Sequence, residues 1–288
     1  MSKNIIVDTF IFYNELDMLK YRLETLNQYV DYFIIVEATK THVGSEKPLY
    51  FSEHEYLFAP YLHKIIHIVE KDLQSKDKES LKKQQTEKNT DYTTYCWNNE
   101  RKHRNGIDKG IQKLEKKLSS DTLENTLILI SDCDEIPNPE ILKTIKDNNV
   151  KIDISCLEQD FYYYNIRNRM REKWYHAKII SYSHYINEYE RNPSKIRLTF
   201  NVGFIPNGGW HLSYFGDPLF IKNKLNQFAH QEFNTPELAN TQIIQRKIKM
   251  HQSVVRDEKL DYILERDNPN LPPNVLVHFP IPKENIAD

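Results

Sequence analysis

Three carboxylates fall within four positions, at Asp132, Asp134 and Glu135, directly after the unbroken apolar run 127–130. Such a run, without polar alternation, predicts a strand covered on both faces, and Ile136-Pro137-Asn138-Pro139 then stops it. The acids are therefore expected at the carboxyl end of a strand, the edge where open α/β sheets bind their ligands. Asp132 and Asp134 are two apart and share a side if strand geometry persists. Paired hard oxygen donors of that kind suit Mg²⁺ or Mn²⁺ held with a diphosphate. The plainer reading of the same residues is a helix N-cap, with Asp134 or Asn138 capping a helix that begins near Pro139.

A second cluster stands at Gly208-Gly209-Trp210-His211. The glycine pair implies positive φ or close backbone approach and predicts a turn over 206–211. His211 fits a metal sphere or a diphosphate contact, and equally a core histidine packed beside Trp210. Trp210 fits a sugar face or the core. Arg22 and Arg101 carry fixed charge suited to phosphate, although solvated helix faces account for most of the charges in 99–104.

These groups need a frame. Segment 4–12 reads as a strand, 15–26 as an amphipathic helix with Leu16, Leu19, Leu23 and Leu26 on one face, and 32–37 and 65–69 as further strands, the pattern of βαβ units. The highly polar stretch 71–91 predicts a mobile insertion. Helix is expected over 95–118, with Ile107, Ile111, Leu114 and Leu118 inward, and again over 139–146. Strands are expected over 152–164, 176–185 and 197–204, then helices over 222–233 and 235–251. The whole chain, 1–288, reads as a single α/β catalytic domain with a mainly parallel central sheet flanked by helices, and 235–288 as a helical C-terminal extension.

The composition narrows the function. A formal charge of -2 in 288 residues offers no broad basic surface for nucleic acid. Three cysteines without paired spacing fit free thiols in a reducing compartment. No signal peptide opens the sequence, and no apolar run approaches the roughly twenty residues that span a bilayer. A cytoplasmic protein without an integral membrane segment is expected.

Taken in order, several blocks resemble glycosyltransferase family 17. They are Asp8-Thr9-Phe10 through Phe12-Tyr13-Asn14-Glu15-Leu16-Asp17, with Arg22-Leu23; Val30-Asp31-Tyr32-Phe33-Ile34-Ile35-Val36-Glu37; Gly44-Ser45-Glu46-Lys47-Pro48-Leu49; Ser131 to Pro137; and Gly208-Gly209-Trp210-His211-Leu212-Ser213-Tyr214-Phe215. The resemblance implies a GT-A-like nucleotide-sugar transferase fold, inverting transfer, and UDP-N-acetylglucosamine as donor. It places Asp8, Asn14 and Glu15 at the nucleotide, with Arg22, Arg101, Asp132 and Trp210 as further donor contacts. Asp132, Asp134 and His211 become the metal residues for Mn²⁺ or Mg²⁺, with Glu135 in support. Inversion also requires a base for the acceptor hydroxyl, for which Asp160 and then Glu232 are expected, with His230 beside the latter. The acceptor is expected to be a glycan or lipid-linked oligosaccharide. Two other classes fit the acids less fully: a metal-dependent phosphoesterase or nucleotide-sugar hydrolase, and a sugar-binding module without catalysis.

Overall fold

The computed structural model describes residues 4–75, 90–256 and 258–281. Its centre is a ten-stranded sheet formed by β1 (Ile5–Phe12), β2 (Tyr32–Ala38), β3 (Ile65–Glu70), β4 (Thr126–Asp132), β5 (Glu135–Pro137), β6 (Ile154–Tyr163), β7 (Asn168–Arg169), β8 (Lys178–Ser181), β9 (Phe204–Ser213) and β10 (Asp261–Tyr262). The main order is β10-β7-β6-β8-β4-β1-β2-β3, with β9 joined to β6 and β5.

The sheet is mixed, which corrects the expectation of a mainly parallel one. Strands β3, β2, β1 and β4 are parallel, as βαβ units dictate. Beyond β4 the direction alternates: β8 runs antiparallel to both β4 and β6, and β9 is parallel to β6 but antiparallel to β5. In register, Ile11 of β1 faces Asp132 of β4, and Phe12 faces Glu37 of β2. The carboxyl ends of the parallel strands therefore finish at one edge, with the Asp-x-Asp segment on it.

Helices cover both faces. Leu19, Leu23 and Leu26 of the helix Leu16–Leu26 pack with Leu142 and Ile145 of the helix Pro139–Asp147 against one side. The Asn138 side chain caps that second helix by accepting from Glu140 N at 3.0 Å, so the capping role falls to Asn138 rather than Asp134. On the other side lies Ile107–Glu115, through Ile107, Ile111 and Leu114. The single helix expected over 95–118 is two, Thr90–Asn105 and Ile107–Glu115, separated at Gly106. A Cβ there would lie 2.8 Å from Val36 Cγ1 and 2.9 Å from the His103 carbonyl, so only glycine fits the junction against β2.

Other expected elements shift. Segment 176–185 divides into β8 and the helix Tyr182–Asn187, whose first turn is capped by Ser181 Oγ. Segment 197–204 is not a strand, because its first residue ends the helix Pro193–Arg197. The turn expected over 206–211 is instead the interior of β9. Of the expected insertion 71–91, residues 76–89 lie outside those described, whereas Leu73 is buried. Beyond 235 the helix Thr241–Lys249 is followed by β10, which joins the sheet through β7, so this part is only partly helical. Among the described residues no helix is long and apolar enough to cross a membrane.

The glycines of β9 serve strand packing. Gly209 has φ +148°, and a Cβ on it would lie 2.1 Å from the Ile136 carbonyl oxygen of β5. Gly209→Ala is accordingly expected to cost about 1–3 kcal/mol through backbone strain and overpacking. A thermal melt at neutral pH measures it, and an unchanged midpoint would show that β5 can move away freely.

Candidate active site

A cavity of about 510 Å³ opens at the carboxyl edge of the parallel strands. Its walls include Asp132 and Asp134 from the end of β4, His211 and Ser213 from β9, and Lys224 from the helix Pro218–Gln227. Arg101 and Arg104 reach it from the helix Thr90–Asn105, and Arg197 from Pro193–Arg197. The chain is slightly acidic overall, yet seven basic residues (Lys40, Lys47, Arg101, Arg104, Arg197, Lys224, Arg256) line the cavity against four acids (Glu15, Glu100, Asp132, Asp134). That balance favours an anionic ligand.

The acids differ in their partners. Asp132 is gripped on both oxygens: Arg104 Nη1 donates to Oδ1 at 2.6 Å and Arg197 Nη2 to Oδ2 at 2.5 Å. Burial opposes its ionisation, but the two guanidinium groups outweigh it and hold the carboxyl well below the usual range. Glu135 is fully buried and accepts from both Arg197 Nη groups at 2.7 Å, from Trp174 Nε1 at 2.5 Å and from Asp132 N at 2.9 Å. Its lone pairs are consumed in holding the loop, a positioning role.

Of the three acids in 132–135, Asp134 is the one with an oxygen left to offer. Lys224 Nζ donates to Oδ2 at 2.7 Å, while Oδ1 stands 3.6 Å from His211 Nε2. Burial again opposes ionisation, and Lys224 and then His211 overcome it, so the carboxyl stays ionised. Reciprocally, burial alone would lower the Lys224 ammonium, but Asp134 raises it. His211 is ordered by ring stacking on Phe161 at 4.5 Å and contact with Trp174 at 4.4 Å, and its Nδ1 is buried without a hydrogen-bond partner. A hard carboxylate oxygen beside an imidazole nitrogen fits Mn²⁺ or Mg²⁺, ions commonly held by one or two protein groups together with phosphate oxygens. Among the described residues no three His, Cys, Asp or Glu side chains converge as metal ligands, and Asp134 and His211 stand as a pair.

The loop itself is shaped from below by Arg22. This residue is fully buried, pairs with Asp8 through two bonds of 2.8 and 2.6 Å, and donates to Ser131 Oγ at 2.6 Å. Its Nη1 also reaches the carbonyls of Asp132, Cys133 and Glu135 at 2.8, 3.2 and 2.7 Å. The chain reversal between β4 and β5 is thus organised around one guanidinium.

Of the residues expected at the site, Glu15, Arg101, Asp132, Asp134 and His211 line the cavity. Asp8 and Arg22 do not: each neutralises the other beneath the loop, and neither is open to a ligand. Asn14 and Trp210 are also absent from the lining. Trp210 packs into the core and donates to the Asn270 carbonyl at 2.8 Å, and Trp97 and Trp174 stand at the cavity instead. Asp160 is buried on β6, paired with Lys173 at 2.7 Å and Asn270 at 2.6 Å, and does not line it either. Glu232 reaches the site only through His230, whose Nδ1 lies 2.7 Å from its carboxylate and whose ring is part of the wall.

The buried imidazoles carry a pH signature. Burial and the neighbouring Arg197 push His176 down to about 4 from its ordinary 6.5. Below pH 6.5 the unfolded chain binds a proton that the folded one refuses, so stability falls on acidification until about pH 4, where the folded form also titrates. His42 and His103, likewise lowered by burial, add to the same trend. Denaturant titrations at pH 7 and pH 5 should differ by at least about 1–2 kcal/mol, with the acidic sample weaker. Equal stabilities would mean these rings are not held neutral.

Comparison with known proteins agrees with this picture. No curated protein matches the sequence. The crystal structure of S. aureus TarS 1-349 superposes with a TM-score of 0.36 at 10% identity, covering 85% of this chain and 72% of that one, too loose to carry an argument on its own. The sequence pattern of Glycosyltransferase family 17, by contrast, matches residues 1–257, nearly the whole described fold and every wall of the cavity. An α/β sheet with acids and a surplus of cations at its parallel edge therefore belongs to a glycosyltransferase of family 17.

Proposed function

We propose that the chain transfers N-acetylglucosamine from UDP-N-acetylglucosamine, with inversion, to a hydroxyl of a glycan or lipid-linked oligosaccharide. The observation that carries this reading is Asp134, buried in a cation-rich cavity between Lys224 and His211. The GT-A-like arrangement is supported by the parallel half β3-β2-β1-β4 and the acids at its carboxyl edge.

Breaking the bond from the sugar's anomeric carbon to phosphate leaves positive character on the sugar and negative charge on the departing UDP. A divalent cation at Asp134 and His211 would supply electrostatic stabilisation of that charge. Lys224 and Arg101, both in the cavity lining, add fixed positive charge that needs no reorganisation as it develops. Asp132, held on both oxygens by Arg104 and Arg197, orients their guanidinium groups at the cavity and serves as a positioning residue rather than a ribose contact.

The acceptor oxygen forms its bond on the opposite face of the sugar, and its proton must leave. His230 takes it on Nε2 in this scheme, since Nδ1 is engaged by Glu232, which orients and supports the imidazolium. His230→Gln and Glu232→Gln are expected to lower kcat by about 10²-fold and tenfold respectively, with KM for the donor little changed. A loss confined to donor KM would assign the pair to donor binding instead.

A panel of UDP- and GDP-sugars, assayed for released nucleotide, tests the function. Release fastest from UDP-N-acetylglucosamine, and stimulated by an oligosaccharide acceptor, is expected. Release from none of the sugars would refute the reading.

A further inference from the structure

His42 lines the cavity from the loop after β2, and its ring is the outer member of a two-histidine chain. Behind it, His103 Nε2 lies 2.9 Å from the Val36 carbonyl oxygen. A carbonyl only accepts, so Nε2 carries the proton, and in the neutral ring Nδ1 is left as a lone pair. Burial, and then the His42 ring, holds His103 well below the ordinary imidazole range, and burial lowers His42 as well. His42 Nε2, 3.2 Å from His103 Nδ1, is consequently the donor between the rings. That leaves His42 Nδ1 with a lone pair, and no described residue donates to it.

The loop is held as firmly as the tautomer. Asn99, almost fully buried, donates to the His42 carbonyl at 3.1 Å and to the Gln74 carbonyl at 3.1 Å. Lys40, Lys47 and Arg101 line the same cavity. A fixed acceptor among cations at the end of β2 has no use in anchoring phosphate, which itself only accepts. It matches a ring N–H.

We infer that His42 Nδ1 accepts the imide N–H of a uracil base, and thereby selects uridine nucleotides over those whose ring nitrogen at that position is an acceptor, as in cytosine. The inference rests on the nucleotide-sugar reading above. His103 acts through His42 and is a positioning residue.

Calorimetric binding of UDP, N3-methyl-UDP and CDP to the full chain tests it. The wild-type protein is expected to bind UDP about tenfold more tightly than either analogue, because each leaves the acceptor unpaired. His42→Phe, which keeps a ring of similar size, should erase that preference, and His42→Gln, which offers an amide oxygen, should retain part of it. Three nucleotides bound alike by the wild type, or a preference intact in His42→Phe, would overturn the assignment while leaving the donor reading in place. No binding of any nucleotide by the wild type would overturn both.

Discussion

Asp134→Ala is expected to lower nucleotide release from the sugar donor by about 10³-fold or more, the largest single effect on activity in this chain. Of the three acids in 132–135 this carboxylate is the one with an oxygen not committed to a short hydrogen bond, because Asp132 and Glu135 are consumed by Arg104, Arg197 and Trp174. Its removal also leaves the Lys224 ammonium without its partner in a largely enclosed position. A companion variant, Asp134→Asn, keeps volume and a hydrogen-bond acceptor while discarding the charge. If both variants fold with melting points near the wild type and both lose turnover, the loss belongs to charge. Turnover within tenfold of the wild type in Asp134→Asn would remove Asp134 from the chemistry.

The largest effect on stability is expected from Arg22→Ala. It deletes a fully buried partner of Asp8 and leaves that carboxylate unpaired in the core, which costs about 3–5 kcal/mol. The carbonyls of Asp132, Cys133 and Glu135 lose their common donor at the same time. For a domain of this size the melting temperature should fall by about 10 °C, and the Asp-x-Asp loop should loosen, so activity at a permissive temperature falls as well. The double change Asp8→Leu with Arg22→Met removes both charges and should cost less than the sum of the two single changes. Additive losses would mean that the pair is not the unit that holds the loop.

The parallel half of the sheet was legible because its signals are local. Unbroken apolar runs mark β2 and β4, an apolar segment interrupted only by Asp8-Thr9 marks β1, and leucines at helical spacing mark Leu16–Leu26. The acids at the end of β4 could be placed at a ligand edge for the same reason. In the antiparallel half the strand β6 was legible, within the expected 152–164, but the pairing was not, since β8 pairs with β4 and β6 through contacts distant in sequence that no spacing records. Gly208 and Gly209 read as a turn, although their purpose is to let β9 approach Leu157 and Ile136.

The site followed the same division. Asp134 and His211 announce themselves by residue type, but Arg197 and Lys224 look like ordinary charges on helices until the fold turns them toward the acids. Arg22 misled in the opposite sense: an arginine in a helix after the first strand suggests phosphate, yet its charge is answered by Asp8 three-dimensionally beneath the loop. His42 carried no motif at all. Its meaning lies in the tautomer that Val36 imposes through His103.

The central claim is that Asp134 and His211 take a divalent cation together with a nucleotide diphosphate, and it is tested most directly by electron paramagnetic resonance of Mn²⁺ titrated with the protein. Quenching of the free Mn²⁺ signal that requires UDP, and that disappears in Asp134→Ala, is the predicted result. UDP that binds equally well with chelator present, with no quenching at any protein concentration, would contradict it and leave Lys224 and its neighbouring arginines to stabilise the departing diphosphate.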